Sequence, residues 1–215
     1  MQLAVDTLSY EREVPRSWYV WKRAIDVAFG TLFLLISLPI IVTAALAIVV
    51  LEGGSPFYLQ ERVGMNGRTF KMYKLRTMVN GAHAMRDRLS HLNEADGPVF
   101  KMSNDPRCHP LGRVLRRTSV DELPNFVNVL RGDISLVGPR PALPSEVANY
   151  EPYAMRRLRV PQGVTCLWQI GGRSKLNFRE WMALDNRYVD EWTPLGDLAI
   201  IAKTIPAVLR KDGAR

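Results

Sequence analysis

Between Val27 and Leu51 the chain runs 25 residues without a charge, VAFGTLFLLISLPIIVTAALAIVVL, with a proline at the centre. As one straight helix the run would rise roughly 37 Å, enough for the ~30 Å hydrocarbon core of a bilayer. It is too long and starts too late for a signal peptide, and no small-x-small cleavage pattern follows it. Pro39 lacks an N–H and its ring crowds the preceding turn, so it divides the run into halves that each reach roughly 18 Å, about mid-bilayer. Ser37 and Thr43 flank this membrane break and are placed to bond carbonyls freed by Pro39. Lys22 and Arg23 precede the run, and Arg62, Arg68, Lys71, Lys74 and Arg76 follow it. The positive-inside rule then sets both ends on the cytoplasmic side. A re-entrant hairpin satisfies that condition; a single spanning helix, the alternative, does not. Asp26 would sit at the membrane interface, paired with Lys22 or Arg23.

The remainder of the 215 residues is room for one catalytic unit. The expected organisation is an N-terminal tail at 1–21, the re-entrant hairpin at 22–52 and a cytoplasmic catalytic domain at 53–215. Residues 1–51 hold four cations and four acids, so the whole net charge of +8 belongs to the region after the apolar run. Anionic partners follow: phosphates or acidic lipid. No stripe of basic residues interleaved with aromatics marks a nucleic-acid module, so nucleic acid is not expected. Cys108 and Cys166 stand far apart outside any CxxC pattern, and His83, His91 and His109 show no metal-ligand spacing. A reducing compartment and no zinc are expected.

Asn66-Gly67 between two β-rich runs predicts a hairpin, and 81–92, 145–158, 176–191 and 195–210 read as helices. The fold class is therefore α+β: mainly helical, monotopic in the membrane, with a re-entrant helix broken at Pro39, a small β-hairpin and interfacial amphipathic helices. The stretch LRRTSVDELPNFVNVLRGD carries the densest chemical signal. Pro124 is tolerated only in a first helical turn, so a helix starts at Asp121 to Leu123 and closes at Gly132. Asp121 could simply cap that helix. Arg116 and Arg117 just before it, and the proline-stiffened GPRP turn presenting Arg140, point instead to a phosphate site. An ionised Asp beside arginines suits a Mg²⁺ ligand or a nucleophile on phosphorus. Arg62, Lys74, Arg76 and Arg173 recur at loop or strand ends and join Arg140 as candidate phosphate-binding cations. Walker A and GxGxxG sequences are absent.

Taken in order, KRxxD (Lys22, Arg23, Asp26), Pro39, QxRxG (Gln60, Arg62, Gly64), KxRTM (Lys74 to Met78), DELP (Asp121 to Pro124), SLVGPRP (Ser135 to Pro141) and WQxxGR (Trp168 to Arg173) resemble the bacterial sugar transferases, the monotopic phosphoglycosyl transferases. The resemblance covers roughly Trp21 to Lys211. NEADGPVFKMSNDPR and LPSEV look most like the branch serving exopolysaccharide and capsule synthesis. It implies transfer of a sugar 1-phosphate, glucose or galactose, from a UDP-sugar to polyprenyl (undecaprenyl) phosphate, with release of UMP. It further implies Asp121 as covalent nucleophile and Mg²⁺ ligand, Glu122 as its acidic partner and proton acceptor, and Arg140 as a phosphate holder. The bacterial inner membrane, with catalysis on the cytoplasmic face, is the implied location. A homodimer and downstream glycosyltransferases are the implied protein partners. The chain departs from the family pattern in having Leu38 rather than serine before Pro39, and Cys166 where a glycine is expected. Two other readings stand beside it: a catalytically silent membrane-surface scaffold, and a CDP-alcohol phosphotransferase. The latter lacks its acid-rich signature here.

Overall fold

The computed structural model describes residues 14–82, 84–85, 87–171 and 176–209. Helix α1, Arg16–Glu52, is 37 residues long. Its most apolar 18-residue window has a mean hydropathy of 2.9 and only 22% of that window is buried, so it is not the core helix of a soluble domain. Leu35, Ile36, Leu46, Val50 and Leu51 all face outward. A contiguous apolar face of this size marks a surface made to meet a membrane or another protein.

The expected break at Pro39 is not a gap in the helix, because α1 passes through it. Ser37 Oγ donates to the Leu34 carbonyl at 3.1 Å and Thr43 Oγ1 to the Pro39 carbonyl at 2.8 Å. Neither reaches the Leu35 carbonyl that Pro39 leaves without its helical donor. The expected 21/22 boundary also falls inside the helix, since α1 begins at Arg16.

Strands β1 (Phe57–Val63) and β2 (Thr69–Leu75) form the expected antiparallel hairpin, Val63 opposite Thr69 and Phe57 opposite Leu75. Asn66 and Gly67 take the left-handed conformations that the turn requires. An irregular segment leads to α2 (Pro110–Arg117), capped by His109, whose ring accepts from the Gly112 N–H at 2.9 Å. A short 3₁₀ turn, Val120–Glu122, precedes α3 (Asn125–Arg131), which stops at Gly132 with φ +82°. The predicted start and close of this helix are thus close to those observed, but Asp121 stands in the 3₁₀ turn and is not the cap.

Strand β3 (Ser135–Val137) pairs in parallel with β4 (Gly163–Thr165). The single helix expected at 145–158 is instead α4 (Pro144–Val147), α5 (Pro152–Met155) and a 3₁₀ turn, Arg156–Arg159. Pro152 offers no N–H to continue the helix begun at Pro144. The chain closes with α6 (Leu167–Gly171), α7 (Phe178–Glu191), capped reciprocally by Asn177 and Glu180, and α8 (Pro194–Leu209). The helix expected at 81–92 is only a 3₁₀ turn at Asp87–Leu92.

Both halves of α1 lie on the domain. Phe29 and Phe33 pack toward Phe126 and a core of Val129, Leu136 and Tyr188, while Ile41, Ala44 and Ile48 bury against Leu75 and Leu115. KRxxD supplies the polar latch. Lys22 Nζ donates to Asp197 at 2.7 Å, to the Val137 carbonyl at 2.8 Å and to Tyr188 at 3.2 Å. Arg23 donates to the Val129 and Leu130 carbonyls, both at 2.6 Å, at the open end of α3. Asp26 accepts from Ser135 and from the Leu136 N–H, both at 2.8 Å. The expected pairing of Asp26 with Lys22 or Arg23 at the interface is therefore replaced by buried docking onto β3 and α8. The partners lie more than 100 positions away, beyond any local reading.

Candidate active site

Four short segments converge on Asp121. Asn128, fully buried on α3, accepts from the Tyr73 N–H at 2.9 Å and donates to the Lys71 carbonyl at 2.8 Å. That lashes α3 to β2 and sets Lys74 beside the turn that carries Asp121 and Glu122. Ser119, immediately before this turn, has φ +58° without being glycine. A non-glycine residue in the left-handed region is a strained element of the kind that collects at functional sites.

The GPRP turn is built by close backbone approach. A Cβ on Gly138 would stand 2.1 Å from the Pro161 carbonyl, and one on Gly163 2.1 Å from the Gly138 nitrogen. Only glycines allow β3 and β4 to meet there. Two buried guanidiniums then grip consecutive carbonyls of the turn: Arg157 donates to Arg140 O at 2.7 Å, and Arg62 to Pro141 O at 2.8 Å. Arg157 is itself held by Asp185 at 2.8 Å and by the Tyr150 hydroxyl at 2.8 Å.

The side chain of Arg140 meets Glu122 Oε1 at 3.3 Å, and Lys74 Nζ meets the same oxygen at 2.8 Å. Burial alone would raise the Glu122 pKa, but Lys74, Arg140 and Arg62 together hold it well below the usual carboxylate range. Asp121 behaves oppositely. It is 8% exposed, and desolvation, reinforced by the neighbouring Glu122 charge, pushes it up to about 6 against the opposing pull of Lys74, Arg116 and Arg140. No hydrogen bond or ion pair occupies its carboxylate among the described residues. Two adjacent carboxylates are thus separated in character: Glu122 is clamped and ionised, Asp121 uncommitted.

Asp121 opens on a cavity of about 1280 Å³ whose wall includes Lys74, Arg116, Glu122 and Arg140. Of the cations predicted to bind phosphate, Lys74 and Arg140 are brought to Asp121. Arg62 lines the cavity but is 7% exposed, with its donors engaged by Gln60 and Pro141. Arg76 donates to the Gly53 carbonyl and to Asn80, joining β2 to the end of α1. Arg173 lies outside the described residues. Arg157 and Asp185 were not predicted; they lie 28 positions apart, outside every motif singled out in the sequence, and meet only in the fold. The aromatic pair Trp168 and Trp181, with ring centroids 4.8 Å apart, also lines the cavity, as does the segment from Glu94 to Met102.

No group of three His, Cys, Asp or Glu that could hold a metal is present among the described residues. Mg²⁺ commonly binds through one or two carboxylates together with substrate phosphates, and the uncommitted carboxylate of Asp121 fits that pattern. Glu122, already shared by Lys74 and Arg140, does not.

The site is thus a strained turn presenting an unpaired carboxylate among fixed cations, in a cavity walled partly by the apolar helix α1. A family model for bacterial sugar transferases matches residues 17–211. The chain is 38% identical over 197 residues to the exopolysaccharide production protein ExoY of Rhizobium meliloti, covering 90% of this chain and 87% of that protein. It is 38% identical over 208 residues to the undecaprenyl-phosphate galactose phosphotransferase of Salmonella typhimurium, covering 93% of this chain and 42% of that protein. It is 36% identical over 203 residues to the UDP-glucose:undecaprenyl-phosphate glucose-1-phosphate transferase of Caulobacter vibrioides, covering 90% and 71%. The chain belongs to the bacterial sugar transferase family and is a transferase enzyme of that class.

Proposed function

We propose that the chain transfers a hexose 1-phosphate, from UDP-glucose or UDP-galactose, to polyprenyl phosphate at the cytoplasmic face of the bacterial inner membrane, as an early step of exopolysaccharide or capsule synthesis. The observation that carries this reading is the uncommitted, buried Asp121 carboxylate facing the cavity beside Lys74, Arg116 and Arg140. The names of the relatives support the hexose phosphate and the undecaprenyl carrier.

An Asp121 oxygen attacks the β-phosphorus of the sugar nucleotide. The bond from that phosphorus to the oxygen bridging the α-phosphate breaks, and UMP leaves with the electron pair. The phosphosugar stays on Asp121 as an acyl phosphate until a lipid-phosphate oxygen attacks the same phosphorus and frees the carboxylate. Arg140, presented by the clamped turn, and Lys74 face the charge that spreads over the transferred group. Glu122 is a weak base between two cations, so its task in this reading is to fix Lys74 and Arg140 rather than to accept a proton. Mg²⁺, held by Asp121 and substrate phosphate, would neutralise further charge on the transferred group.

The outward apolar face of α1 and the cations at both its ends support a re-entrant course in the membrane. The test of the reaction is UMP release by detergent-solubilised protein with Mg²⁺, polyprenyl phosphate and a panel of UDP-sugars. Release with a hexose donor and none from Asp121→Asn is expected. No release with any sugar by folded protein would favour the membrane-surface scaffold.

A further inference from the structure

Arg116 and Arg117 stand in the last turn of α2, and only the first turns inward: Arg117 is exposed, while Arg116 is half-buried and lines the cavity at Asp121. Helical side chains lean toward the N-terminus of their helix, so the Arg116 side chain runs back along α2. There its Nη1 donates to the Sγ of Cys108 at 3.0 Å. Among the described residues the guanidinium forms no ion pair and no other hydrogen bond. Lys74 and Arg140 differ, since both are tied to Glu122. The charge of Asp105 reaches Arg116 as well, but both oxygens of that carboxylate are taken by Arg107, at 2.9 and 2.6 Å.

Cys108 is buried, and its backbone is fixed before α2 begins. It stands opposite Met78 in an isolated antiparallel bridge, and its N–H donates to the Asp105 carbonyl at 3.0 Å. On either side, the Val79 N–H donates to the Arg107 carbonyl at 2.9 Å and the His109 N–H to the Thr77 carbonyl at 3.3 Å. Helix α2 is seated on the same segment, because a Cβ on Gly112 would lie 2.0 Å from the Thr77 carbonyl. Donor and acceptor are thus held in one frame. A thiol sulfur is a weak acceptor. It fixes where the guanidinium lies without the ion pair that a carboxylate in its place would make, and the remaining N–H groups of the fork stay available to an anion.

We infer that Cys108 is a positioning residue: its thiol holds Arg116 in the orientation that meets a substrate phosphate, so that Arg116 binds the diphosphate of the sugar nucleotide already ordered. This deepens the function proposed above and rests on it for the identity of the phosphate carrier. It goes further in giving a task to a buried cysteine that lines no part of the cavity and lies outside every motif singled out in the sequence. An untethered arginine would lose its rotamer freedom only on binding, which weakens affinity roughly three- to tenfold.

The test is calorimetric binding of UDP, in buffer containing Mg²⁺, to detergent-solubilised protein, which needs no turnover. Cys108→Val keeps a buried apolar side chain and deletes the acceptor, whereas Cys108→Ser keeps an acceptor. The dissociation constant is expected to rise roughly three- to tenfold in Cys108→Val, with the number of sites per chain unchanged, and to stay within about twofold of wild type in Cys108→Ser. Added to Arg116→Gln, Cys108→Val should weaken binding no further, because the thiol acts only through this guanidinium. A Cys108→Val loss that appears as fewer sites at unchanged affinity, or that adds in full to that of Arg116→Gln, would show a packing role and overturn the assignment. So would failure of the wild type to bind UDP. Because no chemistry is read, wild-type protein that shows this coupling yet releases no UMP would refute the proposed reaction and leave the role of Cys108 standing. UMP release by the wild type with unaltered UDP affinity in Cys108→Val would do the reverse.

Discussion

Replacing Asp121 with Asn should abolish turnover and, at neutral pH, make the protein more stable. Burial and the adjacent Glu122 raise the Asp121 pKa from 3.8 to about 6 despite three nearby cations. The folded state therefore binds a proton more tightly than the unfolded chain, and folding loses stability as pH rises between those values. About two pKa units at ~1.36 kcal/mol each amount to roughly 3 kcal/mol fully present above pH ~6, and absent below pH ~4. Asparagine keeps the shape and removes the ionisation. Thermal unfolding in detergent, at a few degrees per kcal/mol for a chain of this size, should show a gain of roughly 6 to 10 °C at pH 7.5 that shrinks toward zero as pH approaches 4. Equal or lower stability of the variant at pH 7.5, or a gain independent of pH, would refute the claim that the site holds this carboxylate under electrostatic stress.

The same shift sets the acid limb of activity: the rate of the first UMP-releasing turnover should rise through an apparent pKa of about 6, and Lys74→Met, which removes a lowering charge, should move the limb upward. A limb near 4, or one unmoved by Lys74→Met, would argue against it. Lys22→Met should cost ~3–5 kcal/mol by leaving buried Asp197 without its cation, and Lys22→Met/Asp197→Leu should recover most of that, as read by denaturant unfolding. Similar losses in the single and double variants would show that the pair is not what is being measured. Pro39→Ala should favour a straight span, so that an impermeant thiol reagent applied from the periplasmic side reaches a cysteine at Gly54 in the variant but not in the parent with Pro39. Unchanged protection would count against the re-entrant course.

What the sequence disclosed follows the range of the interactions involved. Asn66-Gly67 announces its hairpin because the turn is decided by its own residues, and Pro124 and Gly132 delimit α3 for the same reason. Asp121, Lys74 and Arg140 were legible as types of residue beside a stiff turn. Their roles relative to Glu122 were not, because the clamp on Glu122 joins β2 to the GPRP turn. Arg62 reads like any loop-end cation until its guanidinium is seen on the Pro141 carbonyl. Lys22, Arg23 and Asp26 look like interfacial charges because their local setting is a membrane helix, yet every one is spent on docking that helix to α3, β3 or α8. The strands β3 and β4 are three residues each and pair across a close approach of Gly138 and Gly163, which no periodicity reveals.

The claim on which the account turns is that the phosphosugar rests on Asp121. Intact-mass measurement of the protein, quenched in acid after mixing with Mg²⁺ and the UDP-hexose donor in the absence of lipid, tests it most directly. The account predicts a single phosphohexose adduct formed in step with one equivalent of UMP, discharged by polyprenyl phosphate and missing in Asp121→Asn. UMP formed only when lipid is present, with no adduct at any time, would contradict it.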